Sequence, residues 1–150
     1  IEESGKGIIV LGISDADLKD IFFIRRRIES DCAARAAKNR TQEQLNTLRE
    51  AVEFQEFYLS KKDADKIKLM DSRFHETIYR MSGSAVLSDV LIPLHRKIQK
   101  YRRASVSNKS RAEASVAEHR AIFEAIAASD GKTAKKLVDE HLQNAYNHMF

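Results

Sequence analysis

Apolar residues recur at intervals of three and four along most of the chain, which is the period of an α-helix with one buried face. The clearest run is Ile67, Met70, Phe74, Ile78 and Met81. Similar runs predict helices at about 14–38, from 41 onward, at 64–82, at 85–106, at 111–129 and at 132–149. Amphipathic helices joined by short loops pack side by side. We therefore predict an all-α fold, an antiparallel bundle of six to seven helices.

Capping and breaking residues mark several of the predicted helix ends. Thr41 and Gln44 have the spacing of a capping box, and Gly83 lies in a stop signal between two serines. Pro93 falls inside the fourth helix, so we expect either a kink there or two pieces, 85–91 and 93–106. Residues 105–110 are predicted to form a polar loop.

Composition restricts the class of protein. A chain of 150 residues that is 43% hydrophobic with a single proline suits one folded domain, and no apolar run approaches the roughly 20 residues that span a bilayer. The net charge of +4 comes from 26 basic and 22 interleaved acidic residues, a weak signal for nucleic-acid binding. Cys32 is the only cysteine, which is compatible with a reducing cytoplasm.

The first twelve residues differ in composition from the rest of the chain. They contain Gly5, Gly7 and Gly12 around a short apolar run, without the context of a dinucleotide-binding motif. We interpret 1–12 as a linker and 13–150 as the helical domain. Because the chain begins at Ile1, we expect a fragment or a processed product.

Four polar residues interrupt the apolar faces of three predicted helices. Asp71 and His75 are one turn apart on the third helix, and His119 and His141 lie in the apolar stripes of the last two. Histidines in such positions are often core residues that hydrogen-bond to the backbone. Alternatively, imidazole and carboxylate groups from three helices can bind one zinc, nickel, manganese or iron ion. The pattern of residues leaves both interpretations open.

Other polar residues have less specific surroundings. Arg25 lies on the apolar stripe of the first helix, where it can bind a carboxylate, form an internal salt bridge or reach the surface. We expect a core or rim position for His95. His148 is too far along its helix from His141 to bind the same ion, although it could line the same cavity.

Enzyme motifs fit the sequence poorly. Tyr79 stands where a zincin helix beginning at His75 would need its second histidine, and no histidine follows a glutamate at the di-iron spacing. Glu76 and Tyr79 are predicted to point away from the apolar stripe. We therefore predict that the chain is not an enzyme. Two alternatives remain, a metal-dependent enzyme that acts on a small carboxylate and a purely structural helical module.

Four segments, in order, resemble the FCD domain, the effector-binding domain of FadR-type regulators in the GntR family of bacterial transcription factors. They are residues 17–29, 71–75, 118–126 and 130–134 leading to His141, and the resemblance covers about 13–149. It implies an antiparallel helical bundle that encloses an effector. Family members with this Asp, His, His, His pattern bind metal, and here the pattern falls on Asp71, His75, His119 and His141.

The resemblance also implies partners for the chain. We expect a divalent metal ion, zinc first, with nickel, manganese or iron as alternatives, and a small organic acid effector that contacts Arg25. A homodimer and a bacterial cytoplasmic location are expected from the family, with no membrane contact. Family members carry an N-terminal winged helix-turn-helix, and we expect residues 1–12 to be the end of that module or the linker after it. DNA binding is accordingly expected only through that other module.

Overall fold

The computed structural model describes residues 13–101 and 109–149. Within them the chain forms six helices and no strand, which confirms the predicted all-α class. The helices are α1 (Asp15–Asn39), α2 (Gln42–Ser60), α3 (Ala64–Met81), α4 (Ala85–Tyr101), α5 (Lys109–Ala127) and α6 (Gly131–Asn147). The predicted linker, residues 1–12, lies outside the described residues.

N-cap side chains accept hydrogen bonds from free backbone amides in the first turns of the helices. The hydroxyl of Ser14 accepts a hydrogen bond from the Asp17 amide at 3.0 Å at the start of α1. At the start of α2, Thr41 Oγ1 accepts from the Gln44 amide and Gln44 Oε1 accepts from the Thr41 amide, each at 3.1 Å. This reciprocal pair is the predicted capping box.

Removing the capping hydroxyl of Thr41 should weaken the whole domain. Thr41→Ala is expected to lower the free energy of unfolding by about 1 kcal/mol, because the Gln44 amide loses its acceptor. Urea denaturation followed by circular dichroism measures the change. Thr41→Ser keeps the hydroxyl and serves as the control, and equal stability of the two variants would contradict the role of this cap.

Helix α4 continues through Pro93, so the predicted alternative of two separate pieces is wrong. Leu91, His95 and Ile98, on both sides of the proline, are buried and anchor the two halves to one core. A proline cannot donate to the carbonyl four residues before it, which here is the carbonyl of Asp89. Pro93 and Asp89 are both exposed, so this carbonyl lies on the solvent side. Of the predicted polar loop, 109 and 110 are helical in α5, and 105–108 lie outside the described residues.

Helix α1 runs through the middle of the bundle. It packs most extensively against α6 and also contacts α3, α4 and α5. The two helices approach each other closely at Gly131. A Cβ atom added there would lie only 3.1 Å from the carbonyl oxygen of Ala34. Consecutive helices pack together in the pairs α2–α3, α3–α4 and α5–α6, so the inner faces of all six surround one core. None of the described helices has the length and apolar character to cross a membrane.

Candidate metal centre

The three predicted histidine ligands cluster inside the bundle, and the predicted carboxylate ligand lies beside two of them. Asp71 Oδ1 lies 3.3 Å from His75 Nε2 and 3.3 Å from His119 Nε2, and His119 Nε2 lies 3.1 Å from His141 Nε2. Possible ligand atoms of the three histidines all lie within 4.8 Å of one another. All four residues are buried. The structure therefore brings together every residue of the predicted set.

The sequence around Asp71 and His75 explains their inward position. Both lie on the face of α3 that also carries Phe74 and Ile78, and these two apolar side chains are fully buried. The ring of Phe74 stacks on His119 with 4.4 Å between ring centroids, which restrains that imidazole from one side. Burial of the apolar residues thus carries the carboxylate and the imidazole into the core.

The other ring nitrogens of His119 and His141 are hydrogen-bonded away from the meeting point. His119 Nδ1 donates to Gln55 Oε1 at 2.7 Å, and the Gln55 amide group donates in turn to the carbonyl of Met70 at 3.4 Å. His141 Nδ1 donates to Glu118 Oε1 at 2.6 Å. When these rings are neutral, the outer partners place the proton of each on Nδ1 and leave the Nε2 lone pair facing the other histidine.

Charge around His141 supports the same protonation state. Although its partial burial favours the neutral acid, hydrogen bonds from His141 and Arg111 lower the pKa of Glu118 to about 2. Burial keeps the pKa of His141 below its usual value in spite of this carboxylate. His141 is therefore neutral at pH 7, and its Nε2 faces His119 Nε2 as one lone pair opposite another.

His75 is linked to α1 through Glu29, a residue that the sequence analysis did not single out. His75 Nδ1 donates to Glu29 Oε2, while Arg25 Nε and the Tyr79 hydroxyl donate to Glu29 Oε1 at 3.0 Å and 2.9 Å. Burial would raise the pKa of Glu29, but Arg25 and His75 hold it well below its usual value. The signal in the sequence was the spacing, since Glu29 is one turn from Arg25 on the same buried stripe.

Two sequence predictions are clarified by this network. Tyr79 was predicted to point away from the apolar stripe, which is wrong, because it is fully buried and bonded to Glu29. Neighbouring helices enclose the C-terminal half of α3, so more of its residues are buried than the apolar stripe alone predicts. Arg25 is held in an internal salt bridge with Glu29, and its contact with an effector stays a prediction.

Helix α4 holds the second oxygen of Asp71. The amide group of Gln99 donates to Asp71 Oδ2, and His95 Nε2 lies 3.7 Å from the same oxygen. His95 is fully buried, which agrees with the core position predicted for it. His148 is exposed and its ring bonds the Asn144 carbonyl, so it lies at the surface rather than beside the buried candidate site.

Each of the six helices contributes a side chain to the ligands or to their outer partners. These are Glu29 of α1, Gln55 of α2, Asp71 and His75 of α3, Gln99 of α4, Glu118 and His119 of α5, and His141 of α6. Such outer hydrogen bonds orient ligands and raise their basicity. The arrangement has the ligand types and the outer shell of a buried metal site.

The outer partner of His141 should affect metal affinity. Glu118→Gln is expected to weaken zinc binding by roughly 10–100-fold, because the charge that strengthens and orients His141 is removed. Competition with a chromophoric chelator measures the affinity. Glu113→Gln, a change on the same helix at an exposed glutamate, is the control and should leave the affinity unchanged. Equal affinity in the two variants would contradict the role of Glu118.

Fold and site together define a class: a helical domain with a buried candidate site of three histidines and one carboxylate. The FCD domain family model matches residues 20–144, so the chain belongs to the FCD domain family. The predicted resemblance to a domain of GntR-family transcriptional regulators is thereby confirmed.

Curated relatives agree with this assignment. The chain is 28% identical over 138 residues to the HTH-type transcriptional repressor RspR of Escherichia coli (strain K12). The aligned region covers 92% of this chain and 60% of the relative. The uncharacterized HTH-type transcriptional regulator YdfH of Shigella flexneri matches to the same extent. The chain thus spans 60% of the length of these relatives. Both are named as regulators rather than enzymes, in agreement with the prediction that the chain is not an enzyme.

Solved structures share the fold. E. coli McbR/YncC superposes with a TM-score of 0.82 at 20% identity, covering 91% of this chain and 69% of that one. Streptococcus agalactiae GntR superposes with a TM-score of 0.79 at 23% identity, covering 98% and 66%. At these identities the likeness concerns the helical bundle alone.

Proposed function

We propose that this chain is the metal-dependent, effector-sensing domain of a bacterial transcriptional regulator. Asp71, His75, His119 and His141 hold a divalent cation, and a small organic acid binds beside it. The observation that carries the proposal is a buried cluster of three histidines whose possible ligand atoms lie within 4.8 Å of one another, with Asp71 Oδ1 3.3 Å from the Nε2 atoms of His75 and His119. Lone pairs directed at one another inside a protein are stable only with a cation or protons between them.

The donor set favours particular ions. Three nitrogen ligands and one oxygen ligand suit zinc, and nickel, manganese or iron are the alternatives. When bound, such an ion with an open coordination position supplies a Lewis acid to which a carboxylate oxygen can bind. The residues of this chain orient the ligand side chains, because their outer hydrogen-bond partners fix the direction of each ligand before any ion or effector binds.

Arg25 is proposed as a second contact for the effector carboxylate. Its guanidinium is buried and lies next to Glu29, which bonds His75. A carboxylate that approaches this side would share Arg25 with Glu29. Effector binding would thereby affect the first helix as well as the metal site.

Regulation follows from the sharing of one site by all six described helices. An acid that binds more tightly to one helix arrangement than to another shifts the population towards that arrangement. The relatives are named as HTH-type regulators, so we propose that the shift repositions DNA-binding modules that lie outside residues 13–150. A homodimer in the cytoplasm, with residues 1–12 leading to that module, completes the proposal.

A thermal-shift screen of carboxylic acids, with zinc-loaded and EDTA-treated protein, tests the function. An acid at about 100 times its Kd should stabilise the zinc-loaded chain by about 2.7 kcal/mol and the EDTA-treated chain far less. Turnover of a screened acid would instead favour a metal-dependent enzyme. Absence of both zinc binding and acid-induced stabilisation would favour a structural helical module and would overturn the proposal.

A further inference from the structure

Helix α4 places two polar side chains, His95 and Gln99, beside the candidate metal centre. They are one turn apart, and both are buried. His95 Nδ1 and Gln99 Oε1 have no hydrogen-bond partner among the described residues. Burying unpaired polar atoms is costly, and two of them on one turn of helix indicate contacts made to a bound molecule.

The contacts of Gln99 decide what this pair offers. Its amide nitrogen bonds Asp71 Oδ2, an oxygen that can only accept, so the amide cannot be reversed without placing two oxygens together. The same nitrogen lies 3.2 Å from His95 Nε2. Ser72 Oγ also accepts from this nitrogen at 3.1 Å. Because an amide nitrogen only donates, a hydrogen on His95 Nε2 would point at an N–H group, and the contact therefore favours the tautomer with Nε2 unprotonated. The pair therefore presents one unpaired donor, His95 Nδ1–H, and one unpaired acceptor, Gln99 Oε1.

The position of the pair is next to two of the proposed ligands. The rings of His95 and His75 lie 4.9 Å apart between centroids, and His95 Nε2 is 3.7 Å from Asp71 Oδ2. That distance is too long for a hydrogen bond between His95 and Asp71. A small acid bound at this side of the centre would thus lie within reach of the pair.

We propose that His95 and Gln99 determine specificity, and that they select a hydroxycarboxylic acid over the corresponding acid without the hydroxyl. This inference rests on the proposed function. A hydroxyl group is neutral and can both accept from His95 Nδ1–H and donate to Gln99 Oε1. A second carboxylate could not donate to Gln99, and its charge would lie near the buried carboxylates of Asp71 and Glu29.

Two matched acids, lactate and propionate, provide the test on the zinc-loaded chain by isothermal titration calorimetry. Lactate should bind about 10-fold or more tightly than propionate, since a site that bonds a hydroxyl rejects the analogue lacking it. In His95→Phe, which keeps a ring at this position, the ratio of the two affinities should fall towards one while zinc content stays unchanged. Lys97→Ala, an exposed change on the same helix, is the control and should keep the wild-type ratio.

The outcomes separate the two proposals. Equal affinities for lactate and propionate in the wild type, a measurement that needs no variant, would overturn the inference and leave the metal-dependent sensor intact. A lactate preference that persists in His95→Phe would also overturn it, because the ion alone would then account for the preference. Failure of the wild-type chain to bind zinc, nickel, manganese or iron would overturn the proposed function, and the inference with it.

Discussion

Replacing His119 or His141 with alanine is expected to reduce bound zinc from about one equivalent to a negligible amount. Each change removes one of the converging Nε2 atoms, and the remaining ligands lie on too few helices to enclose an ion. The loss of affinity should exceed the roughly 10–100-fold expected for an outer partner. Elemental analysis of zinc-loaded protein after gel filtration measures the content directly.

His148→Ala is the matched control for this experiment. His148 is exposed and bonds only the Asn144 carbonyl among the described residues, so its removal should leave zinc content at the wild-type level. Melting curves show whether the variants are folded. Equal and negligible zinc in the wild type and in both site variants would exclude a zinc centre at this site.

Zinc affinity is expected to rise about tenfold per pH unit between pH 6.5 and about 9, and to level off above that range. Burial alone would lower the pKa of His75, but the carboxylates of Glu29 and Asp71 raise it to about 9 in the metal-free protein. Below that pH, zinc must displace one proton from His75. Burial keeps His141 neutral, so it adds no second proton at pH 7.

The charged and titratable groups that surround His75 come from five helices. They are Arg25 and Glu29 of α1, Asp71 and Tyr79 of α3, His95 of α4, His119 of α5 and His141 of α6. Burial and the positive charges of Arg25 and His75 hold the pKa of His95 well below its usual value. His75 is thus the group whose proton competes with the metal.

The metal-free protein should show the opposite trend in stability. The pKa of His75 is raised from an ordinary 6.5 to about 9 on folding, so its contribution is fully present below pH 6.5 and is lost as the pH rises to 9. The free energy of unfolding should fall by roughly 3 kcal/mol across this range. Zinc competition and urea denaturation at pH 6.5, 7.5 and 8.5 measure the two slopes.

A variant of Glu29 tests the cause of both slopes. Glu29→Gln removes the carboxylate that bonds His75 Nδ1, so the pKa of His75 should fall and both pH dependences should flatten. An affinity that does not change between pH 6.5 and 8.5 in the wild type would contradict the prediction. A slope that Glu29→Gln leaves unaltered would show that another group carries the proton.

Much of the site could be predicted from the sequence because its ligands lie in strongly periodic helices. Asp71 and His75 share a face by their spacing, and His119 and His141 stand where apolar residues belong. The order of four motifs then favoured one metal site over three separate core histidines. The structure brings these residues together, while the identity of the ion stays a prediction.

The outer partners were missed for reasons that differ between residues. Gln55 follows Val52 by three and Leu48 by seven, so its place on the buried stripe of α2 was visible in the sequence. Glu29 was visible in the same way, one turn from Arg25. Glu118 gave no such signal, because its importance comes from His141 on another helix. The unbroken course of α4 through Pro93 likewise depends on the core on which both halves pack.

The sequence by itself determined the positions of the helices, the apolar stripes along them and the four polar residues that interrupt those stripes. It could do so because the rise and turn of an α-helix relate residue number directly to direction. The tertiary structure alone decided which faces meet. It thereby decided that His75, His119 and His141 cluster with Asp71 beside two of them, and that Glu29 links Arg25 to His75. Packing between helices sets those relations, since the period of one helix carries no information about the rotation of its neighbour.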